Sequence, residues 1–358
     1  MKRLMAALVA LVMVLAACSV AAAEEPFLVG VSMPTQSLQR WNQDGANVKA
    51  QLEAAGYQVD LQYADNDTDM QISQIENMIA AGCDALIIAA IDNAALANVL
   101  ADAGDLLVIS YDRLITDTDN IDYYISFDNY RVGVFQAQYV IDTLDLENAA
   151  AEGKTYNIEF TAGDPADTNA PFFFNGAVDT LQPYLDSGVL NVVSGQTAFE
   201  EVATLSWNTE EAMNRMDDVL ASYYADGTVL DVALCSNDST ALGVTQAIAN
   251  SYGGDNWPLI TGQDCDTANV ANIIDGRQAM SVFKDTRMLA AKAVEMVECY
   301  VNGEEIVVND TETYDNNNFV VPSYLCDPTV VTVDNWEEML IESGYYVLGA
   351  DGYPTTAG

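Results

Sequence analysis

Four short polar clusters stand out in the sequence, because each directly follows a run of apolar and β-branched residues. Such runs are typical of buried strands, and in open α/β sheets small ligands bind just beyond the carboxyl ends of the strands. Together the clusters offer carboxylates, amides and cations, which can donate and accept hydrogen bonds. They are Tyr111-Asp112-Arg113-Leu114, Ser236-Asn237-Asp238, Gly262-Gln263-Asp264 and Phe283-Lys284-Asp285-Thr286. We therefore expect one site for a small polar ligand, assembled from distant segments.

Several kinds of chemistry are excluded by the composition. The chain has no histidine, which excludes Ser-His-Asp and Cys-His catalysis and removes the commonest metal ligand. The acidic residues that have the spacing of an EF-hand loop are Asp65, Asp67, Asp69 and Glu76. That loop needs a glycine after its third ligand, and the chain has Met70 there. An amphipathic helix with Asp67 or Asp69 as its N-cap is expected instead, and we predict neither a metal nor a cofactor.

The cysteines do not form a recognisable framework. Beyond residue 18 there are five, an odd number, and no pair has the spacing of metal ligands. They are Cys83, Cys235, Cys265, Cys299 and Cys326. Buried free thiols are expected, and a disulfide between Cys235 and Cys265 is left open because both residues follow predicted strand ends.

The chain is strongly acidic, with 54 Asp and Glu against 12 Lys and Arg and a net charge of −42. This charge opposes binding to nucleic acid and to anionic lipid surfaces. Half of the residues are hydrophobic, so we expect a globular chain and not a disordered acidic one. A length of 358 residues suggests two domains.

The first 18 residues are predicted to direct export and to lie outside the fold. Lys2 and Arg3 precede an apolar run that has the length of a secretory signal and is short for a membrane span. The run ends in Leu15-Ala16-Ala17-Cys18, which resembles a bacterial lipobox with Cys18 as the lipidated mature N-terminus. The lipid alone would then hold the protein on the outer face of the cytoplasmic membrane. An ordinary signal cleaved near residues 21–23, which would leave the protein periplasmic, is the alternative.

The rest of the chain alternates between predicted strands and helices, which indicates βαβ units and parallel sheets. One series of strands is predicted at 27–33, 59–63, 85–91, 106–111 and 123–127. A second series is predicted at 157–161, 190–194, 229–234, 259–261 and 280–283. Amphipathic patterns separate most of these strands, and a further one follows at 288–300. We therefore predict an α/β protein with two similar halves.

Five motifs follow one another in order along these halves. They are Ser73-Gln74-Ile75-Glu76-Asn77-Met78-Ile79, Ser110-Tyr111-Asp112-Arg113, Ser126-Phe127-Asp128-Asn129, Ser236-Asn237-Asp238 and Gly262-Gln263-Asp264. In this order and spacing the chain resembles the periplasmic sugar-binding proteins of ABC importers, in particular the type I xylose- and multiple-sugar-binding branch. Each motif is weak evidence by itself, but the ordered set covers nearly all of 27–346.

The resemblance implies two doubly wound parallel-sheet domains joined by three crossings, with the ligand in the cleft between them. It places the crossings near 127–130, 281–284 and 321–325. We accordingly predict a tether at 19–26, one domain from 27–129 plus 284–321, a second from 130–283 plus 322–348, and a mobile tail at 349–358.

The resemblance also implies which residues contact the sugar. The matching positions are Arg40, Trp41, Asp112, Arg113, Asp167, Asn169, Trp207, Asn237, Asp264 and Lys284. The loop before Asn169 departs from the family at Asp164 and Thr168, and Ser206 stands where relatives often have Arg. The residue types fit a pyranose, since charged groups and amides bond its hydroxyls and aromatic rings stack on its C–H faces. Phe172-Phe173-Phe174 is interpreted as core or hinge packing.

From these observations we predict a non-enzymatic, monomeric protein that captures a monosaccharide and delivers it to an ABC importer permease. Xylose, glucose, galactose and arabinose are the candidate ligands. A sugar sensor that addresses a chemoreceptor or a sensor kinase would have the same site and remains the alternative. A secreted glycoside hydrolase is disfavoured, because the candidate acids stand beside Arg, Asn and Lys, which favours ionised acceptors over a proton donor.

Overall fold

The computed structural model describes residues 26–356, so the predicted signal segment and Cys18 lie outside the described residues. The strands are β1 (Leu28–Met33), β2 (Gln58–Tyr63), β3 (Ala85–Ile88), β4 (Leu107–Tyr111), β5 (Tyr123–Phe127), β6 (Tyr156–Thr161), β7 (Leu190–Asn191), β8 (Val232–Cys235), β9 (Leu259–Ile260), β10 (Met280–Phe283), β11 (Ser323–Cys326), β12 (Thr329–Thr332), β13 (Tyr346–Leu348) and β14 (Pro354–Thr356).

The α-helices are α1 (Gln39–Ala54), α2 (Thr68–Ala80), α3 (Ala97–Leu100), α4 (Asn129–Leu144), α5 (Leu146–Glu152), α6 (Ala170–Asp186), α7 (Phe199–Val202), α8 (Thr209–Tyr223), α9 (Asp238–Ser251), α10 (Thr267–Ile274) and α11 (Thr286–Asn302). A 3₁₀ turn spans Leu205–Trp207 and a π-helix spans Glu337–Glu342. Within residues 26–356, none of the helices combines the length and the apolar character that a bilayer crossing requires.

The first lobe is built on a six-stranded sheet with the order β2-β1-β3-β4-β5-β11, in which every pair is parallel. Side chains of a strand alternate between the two faces of a sheet. Val31 and Ile87 therefore pack with α1 and α11 on one face, whereas Leu86 and Ile88 pack with α2 and α3 on the other. Burial of both faces explains why these strands are continuous apolar runs in the sequence.

The second lobe repeats this design with a four-stranded parallel sheet in the order β7-β6-β8-β9. The antiparallel pair β10-β12 continues from it through a parallel bridge between Gln263 and Val282. On one face Ile158 packs with α4 and α6, and on the other Ala233 packs with α8 and α9. Both lobes are thus doubly wound, as the resemblance implies.

The chain passes between the lobes three times, after β5, after β10 and after β11. The third passage differs from the sequence prediction, which assigned residues 322–348 to the second domain. Strand β11 pairs with β5 in the first sheet, with Ser323 opposite Tyr124 and Cys326 opposite Phe127. The third crossing therefore follows Cys326. Sequence alone missed this because a lone edge strand carries no local mark of the sheet that it joins.

The C-terminal segment is another correction. Residues 349–358 are predicted from sequence to form a mobile tail, but β13 and β14 pair as an antiparallel hairpin up to Thr356. Tyr353 Oη donates a hydrogen bond of 2.8 Å to Asp275 at the end of α10. Gly349 and Gly352 belong to the hairpin loop, where Gly352 has a φ of 88°.

Helix α4 is absent from the sequence prediction. Asp128 caps it by accepting a hydrogen bond of 3.0 Å from the Arg131 amide. Gly133 allows α4 to lie directly against α6, because a Cβ at this position would come within 2.0 Å of the Phe173 carbonyl oxygen. This contact fixes the start of α6, which carries Phe173 towards the cleft.

Two sequence predictions about single residues are resolved. All five cysteines of the described chain are free thiols, and Cys235 and Cys265 are therefore not joined. Asp67 is the N-cap of α2, since its side chain accepts a hydrogen bond of 2.9 Å from the Met70 amide.

Candidate functional site

A small cavity of about 40 Å³ lies between the two lobes, at the carboxyl ends of both sheets. The lining residues are Leu38, Arg40, Trp41, Asp112, Arg113, Asp167, Asn169, Phe173, Trp207, Asn237, Ser239, Gln263, Asp264 and Lys284. The structure therefore brings together every residue that the sequence analysis named as a sugar contact.

Arg40 links the two lobes through the cavity. It lies in the first turn of α1, and its Nη2 donates a hydrogen bond of 2.7 Å to Asp112 Oδ1 in the same lobe. Its Nη1 donates one of 3.2 Å to Asp264 Oδ1 in the second lobe. Lys284, at a crossing, places Nζ 3.1 Å from the same Asp264 oxygen. All four side chains are buried, so these charges are paired where water is largely excluded.

Arg113 and Asp167 form a second charge pair across the cleft. Arg113 Nε lies 2.9 Å from Asp167 Oδ2, and Arg113 Nη1 donates to the Ala90 carbonyl at 3.0 Å. The same carboxylate oxygen accepts a hydrogen bond of 3.1 Å from Trp207 Nε1. Asp167 thereby orients both a guanidinium and an indole ring.

Asn169 ties the second lobe to the backbone of the first. Its Nδ2 donates a hydrogen bond of 2.6 Å to the Asp112 carbonyl. Its Oδ1 accepts hydrogen bonds from Tyr124 Oη at 2.9 Å and from Asn129 Nδ2 at 2.8 Å. The amide is therefore held in one orientation by groups from both lobes.

Asn237 and Gln263 contribute amides from two neighbouring strand ends of the second lobe. Asn237 caps α9, because its Oδ1 accepts a hydrogen bond of 3.0 Å from the Thr240 amide. Gln263 Nε2 donates to the Ser236 carbonyl at 3.0 Å. The buried Oε1 of Gln263 has no hydrogen-bond partner among the described residues. Buried acceptors are usually paired, so this oxygen is suited to accept a ligand hydroxyl.

Two tryptophans give the cavity flat apolar faces. The Arg113 guanidinium carbon lies 5.0 Å from the centroid of the Trp41 ring. Trp207 covers Gly163, where a Cβ would come within 1.9 Å of the indole. Phe173 meets Trp207 edge-on, with 6.1 Å between the ring centroids. Faces of this kind bind the apolar C–H surfaces of a sugar ring.

The backbone is strained at three lining residues. Asp112, Trp207 and Asp264 have φ angles of 61°, 54° and 98°, in a region that residues other than glycine rarely adopt. The surrounding structure holds them there: the Asp112 carbonyl alone accepts hydrogen bonds from Tyr124 Oη at 2.8 Å and Ser126 Oγ at 3.0 Å. Strain of this kind concentrates at binding and catalytic sites.

Burial and neighbouring charges set the ionisation of the two carboxyls at the centre. Burial opposes ionisation of Asp112, but Arg40, Lys284 and Arg113 outweigh it together and hold its pKa below the ordinary value. Burial raises the pKa of Asp167, and the nearby Arg113 offsets this only in part. Asp112 is therefore a permanently ionised acceptor at neutral pH.

Four lining residues were not named as ligand contacts by the sequence analysis. They are Leu38, Phe173, Ser239 and Gln263. Gln263 belongs to one of the polar clusters and Ser239 stands next to another, so proximity to a named residue was the available signal. Phe173 lies in an apolar run, and nothing in that run distinguishes a ring at the cavity from one in the core.

The arrangement suits an uncharged molecule that is rich in hydroxyls. Three cations and three carboxylates line the cavity, so its formal charge balances without a charged ligand. In the described residues, no group of three or more His, Cys, Asp or Glu side chains is placed to hold a metal ion.

Comparison with known proteins agrees with this chemistry. Residues 29–305 match the family described as the periplasmic binding protein domain. The multiple sugar-binding periplasmic receptor ChvE of Rhizobium radiobacter is 46% identical over 323 residues, which cover 89% of this chain and 90% of the relative. The D-xylose-binding periplasmic protein of Escherichia coli strain K12 is 34% identical over 330 residues, which cover 92% and 93%.

Solved structures share the fold over nearly its whole length. An ABC transporter solute-binding protein from Clostridium phytofermentans with bound β-D-glucose is 57% identical, with a TM-score of 0.87, and the match covers 91% of this chain and 99% of that one. A carbohydrate transporter solute-binding protein from Chloroflexus aurantiacus in complex with D-glucose is 32% identical, with a TM-score of 0.79 and coverage of 90% and 97%.

Proposed function

Because the chain belongs to the periplasmic binding protein family, a family of binding proteins and not of enzymes, we propose that it is an extracytoplasmic solute-binding protein. It captures a monosaccharide between its two lobes and delivers it to the permease of an ABC importer. The relatives named above are sugar-binding proteins or solute-binding proteins with bound sugar, and this supports the ligand class.

The observation that carries the proposal is the charge-balanced cavity itself. Arg40, Arg113 and Lys284 are already paired with carboxylates, so each can offer a further N–H to a hydroxyl without needing an anionic ligand. Trp41 and Trp207 supply the stacking surfaces that a pyranose ring needs. Phosphorylated or carboxylated sugars would add negative charge to a buried, balanced site and are disfavoured.

The carboxylates are placed as acceptors and not as a proton donor. Asp167 accepts a hydrogen bond of 3.1 Å from Trp207 Nε1 and one of 2.9 Å from the backbone N–H of Asn169. Asp112 accepts from Arg40 and has a lowered pKa. A glycoside hydrolase needs one carboxylic acid that can donate a proton, so the geometry favours binding without reaction.

Among the candidate sugars, D-glucose has the strongest support. The solved relative with 57% identity holds β-D-glucose, and one with 32% identity holds D-glucose. D-Xylose follows, since a relative with 34% identity is a D-xylose-binding protein. We propose that this chain binds both; galactose and arabinose are the remaining candidates.

Titration calorimetry tests the proposal. Full-length protein is titrated with D-glucose, D-xylose, D-galactose and L-arabinose, and with D-sorbitol, an acyclic polyol that offers hydroxyls without a rigid ring face. We expect saturable heat at one sugar per chain with D-glucose and D-xylose and none with D-sorbitol. No heat with any of the four sugars would refute the proposal.

A matched pair of arginine variants links that binding to the cavity. Arg113→Ala removes a guanidinium that contacts Asp167 and Trp41, and we expect it to abolish the glucose signal. Arg131→Ala removes an exposed guanidinium that is paired at 2.8 Å with Asp327, and should leave binding unchanged. If both variants bind glucose like the unaltered protein, the cavity is not the sugar site.

For its location, we propose a lipid anchor on Cys18, and the alternative is a free periplasmic protein. The test is Cys18→Ser in a bacterial host fed labelled palmitate. The unaltered protein should carry label and sediment with membranes, while the variant should carry none and be released. Equal labelling of both would contradict the anchor. That the protein is a monomer stays a prediction, as does the alternative that it addresses a chemoreceptor or a sensor kinase.

A further inference from the structure

Behind the cavity lies a buried carboxylate that the sequence analysis did not single out. Asp44 is in α1, one turn after Arg40, and its side chain is completely buried. In the described chain it is not among the residues that line the cavity. It can therefore act on a ligand only through another residue.

Asp44 holds Arg40 from the side away from the cavity. Its Oδ2 accepts the hydrogen bond of Arg40 Nε, and its Oδ1 accepts one of 2.5 Å from Tyr111 Oη. Tyr111 directly precedes Asp112, the carboxylate that Arg40 contacts in the cavity. Both Asp44 oxygens are thus used by groups that define the position of the Arg40–Asp112 pair.

Because of the shape of the guanidinium, the contact with Asp44 decides the direction in which the Arg40 N–H donors point. The group is planar and its N–H donors form a rigid fork. Once Nε is held by Asp44, the two remaining nitrogens point towards the cavity. Nη2 then reaches Asp112 at 2.7 Å and Nη1 reaches Asp264 of the opposite lobe at 3.2 Å.

The ion pair of Arg40 with Asp44 is not explained by stabilisation of α1 alone. An acidic residue four positions after a basic one is the weaker orientation for a helical ion pair. The same helix carries an exposed pair in that order, Lys49 with Glu53 at 3.7 Å, whose side chains are 44% and 52% exposed. Pairs of that kind contribute little. Burying Asp44 completely is costly, so helix stability alone does not account for this carboxylate.

We propose that Asp44 is a positioning residue for sugar binding: its carboxylate fixes the Arg40 guanidinium so that this group spans both lobes and presents its N–H donors to the ligand. The inference rests on the proposed function and assigns a part of it to a residue outside the cavity. Loss of the negative charge at Asp44 should therefore weaken sugar binding without altering the residues that line the cavity.

The protonation of Asp44 supplies a readout that a merely structural role would not affect. Burial raises the pKa of Asp44 to about 6, although Arg40 opposes the shift. The charged and titratable groups that face it are Arg40 on α1, Tyr63 on β2, Tyr111 and Asp112 at the end of β4, and Tyr345 before β13. The tyrosine pKa values are raised, so these hydroxyls stay neutral in the acidic range.

The experiment compares the full-length protein with Asp44→Asn by calorimetry with D-glucose at pH 8 and at pH 5. At pH 8 the variant should bind at least about tenfold more weakly, as expected for loss of a hydrogen bond to a charged group. At pH 5 Asp44 is neutral in both proteins, so their affinities should converge to within about threefold. Other groups that titrate in this range are shared by both proteins and cancel in the ratio. Glu53→Gln, in the exposed pair of α1, should match the unaltered protein at both pH values.

Three results would overturn the inference. If Asp44→Asn binds glucose as well as the unaltered protein at pH 8, or is weakened by the same factor at both pH values, Asp44 has no positioning role. If Asp44→Asn does not fold, as judged by circular dichroism, Tyr111→Phe is the variant that tests the inference. It removes only the hydrogen bond of Tyr111 to Asp44 and should weaken glucose binding about threefold at pH 8. An unchanged affinity of Tyr111→Phe would overturn the positioning role of Asp44. If the unaltered protein binds no sugar of the panel, the proposed function itself fails.

Discussion

At the scale of single residues, the site is a set of opposite charges that neutralise one another before a ligand arrives. Arg40, Arg113 and Lys284 each have a nitrogen within 3.1 Å of a carboxylate oxygen. An unpaired buried charge is costly, whereas a paired one keeps further N–H or lone-pair capacity for hydroxyls. The protein thereby uses strong, charge-assisted hydrogen bonds for a neutral molecule.

Lys284 provides a direct test of this reasoning. Its replacement by Met keeps the length of the side chain but removes one of the two cations that pair with Asp264, so that Arg40 remains. The variant also loses the Lys284 N–H donor to a sugar hydroxyl, and loss of a hydrogen bond to a charged group costs about 1.5–3 kcal/mol, so we expect glucose affinity to fall about tenfold to a hundredfold by calorimetry.

The matched control for Lys284→Met is Lys154→Met. Lys154 also forms an ion pair, at 2.7 Å with Glu152, but both side chains are more than half exposed. Exposed pairs contribute little, and this variant should bind glucose like the unaltered protein. Equal affinity of the two variants would show that the Lys284–Asp264 contact does not serve binding.

The buried carboxyls also predict how stability depends on pH. The chain has no histidine, so carboxyls with raised pKa values dominate titration between pH 5 and 8. Burial raises the pKa of Asp44 to about 6, and burial together with Asp264 raises that of Asp266 to about 7. The folded state then binds protons that the unfolded state releases, and the free energy of unfolding should rise as the pH falls from 8 to 5.

Urea denaturation of the sugar-free protein at pH 5, 6, 7 and 8 measures this dependence. Asp266→Asn should make this rise smaller, because it removes one of the buried carboxyls whose pKa is raised. Carboxyls with lowered pKa values, such as Asp112, act in the opposite direction but only at lower pH. A free energy of unfolding that falls between pH 8 and pH 5 would contradict the raised pKa values.

At the scale of secondary structure, the site is made by junctions between strands and helices. Arg40 lies in the first turn of α1, Asn237 caps α9, and Lys284 directly precedes Asp285, which caps α11 with a hydrogen bond of 3.0 Å from the Arg287 amide. An N-cap fixes the residue at which a helix begins. The caps therefore also fix the direction in which the neighbouring side chains enter the cleft.

One glycine at such a junction should be critical for an aromatic wall. Gly163 follows β6, and a Cβ there would come within 1.9 Å of the Trp207 ring. Gly163→Ala should displace the indole from the cavity wall and weaken glucose binding about fivefold to a hundredfold, the range of overpacking costs. Calorimetry measures the affinity, and tryptophan fluorescence reports the displaced ring.

Gly253→Ala is the control for this effect. Its Cβ would have no heavy atom within 4 Å, and Gly253 has no left-handed φ. This variant should therefore bind glucose normally. If Gly163→Ala binds equally well, the position of Trp207 does not matter for affinity.

At the scale of the whole molecule, polar contacts across the cleft hold the two lobes together. Besides the charge pairs and the Asn169 hydrogen bonds, Asn93 Nδ2 donates to Thr168 Oγ1 at 3.1 Å and the Thr267 amide donates to Gln39 Oε1 at 3.2 Å. The chain carries a net charge of −42, and repulsion within such a charge opposes compact states. Added contacts from a ligand in the cleft would shift this balance towards closure.

Small-angle X-ray scattering tests this view of the lobes. The sugar-free protein should have a larger radius of gyration than the protein with saturating D-glucose, because hinge opening separates the two lobes. D-Sorbitol at the same concentration controls for solvent effects and should leave the radius unchanged. Identical scattering with and without glucose, in a sample that binds glucose by calorimetry, would show that binding does not require closure.

The sequence by itself determined the architecture and the membership of the site. Alternating apolar runs and amphipathic patterns are local properties, and they sufficed for two similar α/β halves. The order of the motifs carried a resemblance to a family of sugar-binding proteins, and that resemblance implied ten residues that prove to line one cavity. Both features can be recognised from the order of residues along the chain.

The tertiary structure alone decided how those residues pair. Arg40 meets Asp264 across 224 positions of the chain, and Asp44 stands behind Arg40 through a contact with Tyr111 that is 67 positions away. It also placed Phe173 at the cavity and the third crossing after Cys326. The reason is physical: such contacts are set by the packing of two lobes against each other, and no local pattern of residues encodes those distances.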